Sequence, residues 1–289
     1  MKTIARLSEY LSQAILLEAA TAPKPGLVTR RGNGAHQDMS LITFMMSSVV
    51  VAEAFQQIFA LGRHFSGPAP ELFAAVRQQG IPAEKKLLQV TKNVNTQRGI
   101  LFAGGVLAAA GGFFSRRQDA PDAAAVCGFV REMTTGLVER ELRQSRPSAA
   151  VTYGEKLYQK YHITGIRGEV ERGFSSVRTV GLPAMQAAFA AGRSINDALV
   201  HTLLSLLTVV EDSNVIWRTD YDTLCQLQKR AAAVLQLGSI FSGPGWQAIE
   251  RLDEDCIARR ISPGGSADLL SVTTALYLLE QAEFPGDIQ

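Results

Sequence analysis

The sequence predicts an all-α protein, a single compact multi-helix domain over residues 1–289 with no strand. Three observations lead there. Apolar residues recur at steps of three and four through much of the chain, the period of a helix face. No run of four to eight residues alternates cleanly with β-branched enrichment, as a half-buried strand would. No linker, internal repeat or low-complexity tract divides the chain, and 46% hydrophobic against 19% charged residues supply a sizeable core.

Taken in order, Ile4, Leu7, Leu11 and Ile15 form the stripe of a first helix over 3–22, which Glu18 breaks near its end. Pro23 and Pro25 stop that helix. A loop follows to His36, and Asp38 is positioned to cap a second helix over 39–62. Residues 70–79 and 83–91 read as two short helices. Asn93-Val94-Asn95-Thr96 then breaks the pattern, and a long apolar helix runs to Phe114. Pro121 suits the first turn of a helix reaching about Arg143. Further helices are expected over 152–161, 168–176, 183–191, 196–210, 221–236, 245–260 and 266–281.

Composition excludes several classes. The formal net charge is +2, and the basic pairs Arg30-Arg31, Arg116-Arg117 and Arg259-Arg260 are scattered, so nucleic-acid binding is not expected. The apolar stretches 41–52 and 100–114 fall short of the roughly 20 residues that span a bilayer; both read as buried helices. Three cysteines, Cys127, Cys225 and Cys256, form no paired framework. Reduced thiols, a cytoplasmic location and no signal peptide are the expectation.

Polar and glycine residues concentrate at helix junctions, where rigid scaffolds carry their sites. The loop from Pro23 to Met39 holds Lys24, His36 and Asp38 among stiffening prolines and permissive glycines. Asn95 to Gly99, with Arg98, opens an apolar helix and suits an anion, or simply a cap by Asn95 or Thr96. Glu139 and Arg143 stand at i,i+4 and read singly as a solvated pair. Gly165 and Gly168 flank Arg167 and Glu169 in a tight corner. Glu211-Asp212-Ser213-Asn214 ends an apolar run, where burial without a partner is costly. Ser262-Pro263-Gly264-Gly265-Ser266-Ala267-Asp268 could wrap an anion with backbone N–H groups, or be a turn capped by Ser266. No Lys-Ser/Thr follows those glycines, so this is not a P-loop, and four histidines lack zinc-ligand spacing.

Together these segments resemble the signature blocks of the triphosphoribosyl-dephospho-CoA synthases. Pro23-Lys24-Pro25-Gly26-Leu27-Val28, Gly34 to Met39, Val94 to Gly99, Glu139 to Arg143, Thr164 to Glu169 and Ser262 to Leu270 occur in that family's order and cover nearly the whole chain. The resemblance implies transfer of the 5-triphosphoribosyl group of ATP to the ribose 2′-hydroxyl of 3′-dephospho-CoA, with release of adenine. The product would be the prosthetic-group precursor of the citrate lyase or malonate decarboxylase acyl carrier protein, which a separate transferase attaches. Such chemistry needs a base, phosphate-binding cations and Mg²⁺ on the triphosphate. The residues implied are Asp38, Glu169 and His36 for catalysis, with Asp212 and Asp268 toward the metal. Lys24, Asn95, Arg98, Arg167, Gly264, Gly265 and Ser266 would hold phosphate and nucleotide. Homo-oligomerisation is compatible with such helical enzymes. Two positions depart from the family pattern: Gln97-Arg98 replaces His-Lys, and Arg218-Thr219-Asp220 replaces Arg-Gly-Gly. Other readings are a phosphoryl transferase or nucleoside hydrolase on this scaffold, or a non-catalytic nucleotide-binding module.

Overall fold

The stripe that opens the sequence is buried as its spacing requires. Ile4, Leu7, Leu11 and Ile15 are at most 1% exposed. In the computed structural model, which describes residues 3–117, 121–143 and 153–285, a 3-10 turn leads into α1 (Leu7–Ala20). Then follow α2 (Leu41–His64), α3 (Ala69–Val90), α4 (Arg98–Ser115), α5 (Ala123–Thr134), α6 (Tyr153–Tyr161) and α7 (Gly165–Glu171). The remainder is α8 (Leu182–Ala190), α9 (Ile195–Leu207), α10 (Ser213–Arg218), α11 (Tyr221–Gln236), α12 (Gly243–Ala258) and α13 (Gly264–Gln281). Among the described residues there is no strand, only an isolated bridge between Thr29 and Gly32.

Two helices form the centre. α4 lies along α2 and also meets α1, α3, α5 and α13; α13 packs on α1, α4, α8 and α9. From Ala103 to Gly112 every residue of α4 is buried, and α13 is buried from Leu269 to Leu279. A helix apolar on all sides belongs inside a bundle. By length and composition alone α2 and α4 could each cross a membrane, but α4 spends its apolar surface on neighbouring helices.

Five boundaries differ from expectation. The helix expected over 168–176 is α7, which ends at Glu171 because Gly173 and Phe174 take positive φ. Residues 70–79 and 83–91 are one helix, α3, which carries Pro82 inside it. Leu72, Phe73 and Val76 are buried before the proline and Leu87 after it, so packing at both ends outweighs the missing N–H. The helix expected to reach Arg143 stops at Thr134, because Gly136 takes the left-handed conformation at φ 77°. A π-helical turn, Glu139–Arg143, follows. Ser40, not Asp38, caps α2: its hydroxyl accepts the Thr43 N–H while the Thr43 hydroxyl accepts the Ser40 N–H, a reciprocal box. Finally, α10 forms where no helix was expected, started by Asp212.

Pro82 is exposed, so its cost to α3 is not offset by contacts of its own. Pro82→Ala restores a backbone donor and is expected to raise stability by about 2 kcal/mol, read as a higher urea midpoint at unchanged slope.

Candidate active site

A cleft of about 310 Å³ gathers side chains from Glu18 to Ser271. It draws on the end of α1, the loop before α2, and the starts of α4, α10 and α13, with α7 closing one side. Most of the polar segments picked out in the sequence meet here.

Asp212 holds this junction together. It is 1% exposed. Its Oδ1 accepts the Asn214 N–H at 3.0 Å and the Val215 N–H at 3.4 Å, capping α10. Its Oδ2 accepts the N–H and hydroxyl of Ser266 at 2.7 and 2.9 Å. The Gly265 N–H also donates to it. Burial raises the Asp212 pKa, and these donors oppose the rise. The glycine turn at the start of α13 thus does wrap an anion, and the anion is the protein's own carboxylate. Ser266 is buried and spent on that contact, whereas Gly264 and Gly265 line the cleft. With both oxygens occupied, Asp212 is a positioning residue and offers no free lone-pair direction for a metal.

The Asp268 carboxyl lies against the first turn of α4, and burial, Asp212 and Glu18 hold its pKa well above the ordinary carboxylate value. A Cβ on Gly99 would lie 1.9 Å from Asp268 Oδ2, so only glycine admits this approach. Unlike Asp212, Asp268 lines the cleft. The Thr96 hydroxyl is buried without a hydrogen-bond partner among the described residues, and neither Thr96 nor Asn95 caps α4. The backbone start at Gln97 has no side-chain cap. Gln97 itself is buried and bonds Ser47 and Ser48 of α2, a fixing role in place of the histidine common in the family pattern.

His36 faces three groups. Nε2 lies 2.7 Å from Ser262 Oγ, Arg218 Nη2 lies 3.2 Å from Nδ1, and Asp38 Oδ1 is 3.5 Å from that same nitrogen. A guanidinium only donates, so Nδ1 accepts and the proton of neutral His36 resides on Nε2, directed at Ser262. Burial, then Arg218, lowers the His36 pKa, while Asp38 raises it. Glu169, 6% exposed, accepts the Ser176 hydroxyl at 2.7 Å and N–H at 3.1 Å, and Arg172 at 3.3 Å. Glu211 accepts the N–H and hydroxyl of Thr164, which answers the cost of placing an acidic pair at this junction.

The expected phosphate cations are elsewhere. Lys24 is 1% exposed and paired with Glu18, behind the cleft wall. Arg98 pairs with Glu84 and lines a separate groove between α3 and α4. Arg167 bonds Glu141 at 2.8 Å. Each has found a carboxylate nearer than the cleft. The guanidiniums that do line it belong to Arg172 and Arg218. Arg172 follows Glu169 by one helical turn, a spacing that could have pointed to it. Of the two residues that replace the glycines after Arg218, Asp220 has extended backbone and caps α11 by accepting the Thr223 N–H at 2.7 Å. Among the described residues no three His, Cys, Asp or Glu side chains group to hold a metal.

The fold and cleft define a helical enzyme whose cavity combines two guanidiniums with carboxylates held in contrasting environments. The sequence matches the family of ATP:dephospho-CoA triphosphoribosyl transferases over residues 4–284. It is 41% identical to a probable 2-(5″-triphosphoribosyl)-3′-dephosphocoenzyme-A synthase of Malonomonas rubra, covering 96% of this chain and 89% of that one. The synthase of Pectobacterium atrosepticum is 39% identical over 94% and 88% of the two chains. That of Escherichia fergusonii is 37% identical over 97% and 93%. No solved structure matches. The chain belongs to the ATP:dephospho-CoA triphosphoribosyl transferase family.

Two outcomes are expected. Asp212→Ala removes a cap and leaves the buried Ser266 N–H unmatched, costing about 3 kcal/mol by urea unfolding. His36 has a folded pKa below its ordinary 6.5, so the unfolded chain takes up the proton first. Its contribution is full above that value and is lost as pH falls through the folded pKa. Wild type should therefore lose stability more steeply than His36→Gln as pH falls below about 6.5.

Proposed function

We propose that this chain transfers the 5-triphosphoribosyl group of ATP to the 2′-hydroxyl of 3′-dephospho-CoA and releases adenine. The observation that carries the reading is the convergence of segments from α1 to α13 on one cleft that pairs anion-binding guanidiniums with desolvated carboxyls, within a chain of this family. In the reaction the C1′–N9 bond breaks and adenine leaves with the electron pair, gaining a proton. The acceptor O2′ bonds C1′ and gives its proton to a base. The triphosphate stays intact.

Each requirement has a candidate group. Arg172, steadied by Glu169, and Arg218, steadied by His36, hold phosphate. Asp38, half exposed at the cleft and near His36, is the base. Glu169, with its oxygens bonded to Ser176 and Arg172, acts by orienting Arg172. Mg²⁺ enters as part of MgATP. It needs only one or two protein carboxylates beside phosphates, and Asp268 suits it because that carboxyl lines the cleft and has no ion-pair partner among the described residues. A cytoplasmic location, handover of the product to an acyl-carrier-protein transferase, and self-association belong to the same proposal.

The test follows adenine, ADP and CoA species chromatographically after mixing the protein with MgATP, with and without 3′-dephospho-CoA. Stoichiometric adenine and a heavier CoA product, both dependent on the acceptor, are expected. ADP would indicate phosphoryl transfer instead, adenine without acceptor a hydrolase, and ATP binding without adenine release a non-catalytic module. Asp38→Asn should lower kcat by about 10²-fold or more, and Glu169→Gln should act mainly on the KM for ATP. Wild-type rates in both folded variants would refute these assignments.

A further inference from the structure

Trp217 is 63% exposed, an unusual position for the largest apolar side chain. It lies in α10, whose Val215 and Ile216 point into the core while Trp217 and Arg218 face outward. Both outward residues line the cleft. The indole is braced from the side by Tyr153, with ring centroids 4.1 Å apart and planes at 75°. Packing at this angle braces the ring, and at 63% exposure much of the indole surface stays open. Since Asp212 ties α10 to α13, the platform is anchored to the central helix.

A rigid π-face beside a guanidinium matches a nucleotide, with the base stacked on the ring and phosphate at the arginine. We propose that Trp217 stacks on the adenine of the acceptor nucleotide and determines specificity for it. The inference rests on the functional reading above, in which both substrates carry adenine. What separates them is shape. The donor must bring its scissile bond among the recessed carboxyls, so its base goes inward. The acceptor carries a long pantetheine arm that the cleft cannot enclose beside ATP, so it binds at the mouth with the arm in solvent. Among the described residues that line the cleft, Trp217 is the exposed aromatic group.

The chain has two tryptophans. Trp246→Phe therefore leaves Trp217 as the only indole reporter, and Trp217→Phe in the native background serves as its control. The fluorescence titration uses 3′-dephospho-CoA, alone and with inorganic tripolyphosphate to fill the donor phosphate site. Saturable quenching is expected with Trp217 present and absent from the Trp217→Phe control, and 4′-phosphopantetheine, which lacks the base, should not quench. In turnover, Trp217→Ala should raise the KM for 3′-dephospho-CoA by about tenfold or more, with the KM for ATP within about twofold and Trp217→Phe restoring most of the loss. No quenching in either condition, or a KM increase confined to ATP, overturns the proposal. The titration needs no turnover. A wild-type protein that releases no adenine would count against ribosyl transfer, while quenching by 3′-dephospho-CoA would still support the stacking site.

Discussion

The buried carboxylate of Asp212 is the constraint on which the cleft depends. It is bonded at once to the start of a six-residue helix and to the start of the long central one. Neither attachment would hold α10 alone, because a helix of that length does not sustain itself by backbone bonds. Fixed to α13, it presents Asn214, Trp217 and Arg218 to the cavity from a backbone with little freedom. Burying a carboxylate is expensive, and here its charge is spread over several donors at two helix N-termini, where the peptide dipoles favour it.

The start of α13 is thereby committed to the protein's own Asp212, and the start of α4 lies against the desolvated Asp268. In the proposed reaction phosphate recognition falls to guanidiniums on movable side chains, Arg172 and Arg218, each partnered within the cleft. The acidic groups also divide by environment. Asp212 and Glu169 are saturated with donors, Asp268 is desolvated, and Asp38 reaches solvent. Groups of one chemical type are thus given different tasks by their surroundings.

Much of this was legible in the sequence. The stripe from Ile4 to Ile15, the proline stop at Pro23, the apolar helix after Asn95 and the glycine start of α13 all stand where periodicity and turn chemistry put them. Local patterns carried less where packing decides. Pro82 reads as a break, yet buried residues on both sides of it keep α3 whole. The cleft was legible as a set of segments, because polar residues between apolar helices have few other reasons to be there. The local pair Glu139–Arg143 was legible too and is made at 3.1 Å, but the tertiary partners of the other charges were not. Lys24 and Glu18 are close in sequence, but nothing local reveals that they neutralise each other out of solvent, and the contact of Asp212 with Ser266 spans the sequence from α10 to α13. Such pairings depend on tertiary distances, which helical periodicity does not contain.

The pairing of α1 with α13 has a consequence for synthesis. α1 is synthesised well before α13, against which it packs, so until α13 emerges its apolar stripe has no permanent partner on that side. The cavity cannot close until the C-terminal segment emerges, and a truncated product would lack one wall while displaying the residues meant to meet it. In a cell, such unfinished chains are natural clients for chaperones that shield apolar surface, and premature termination near the end would be as damaging as near the beginning.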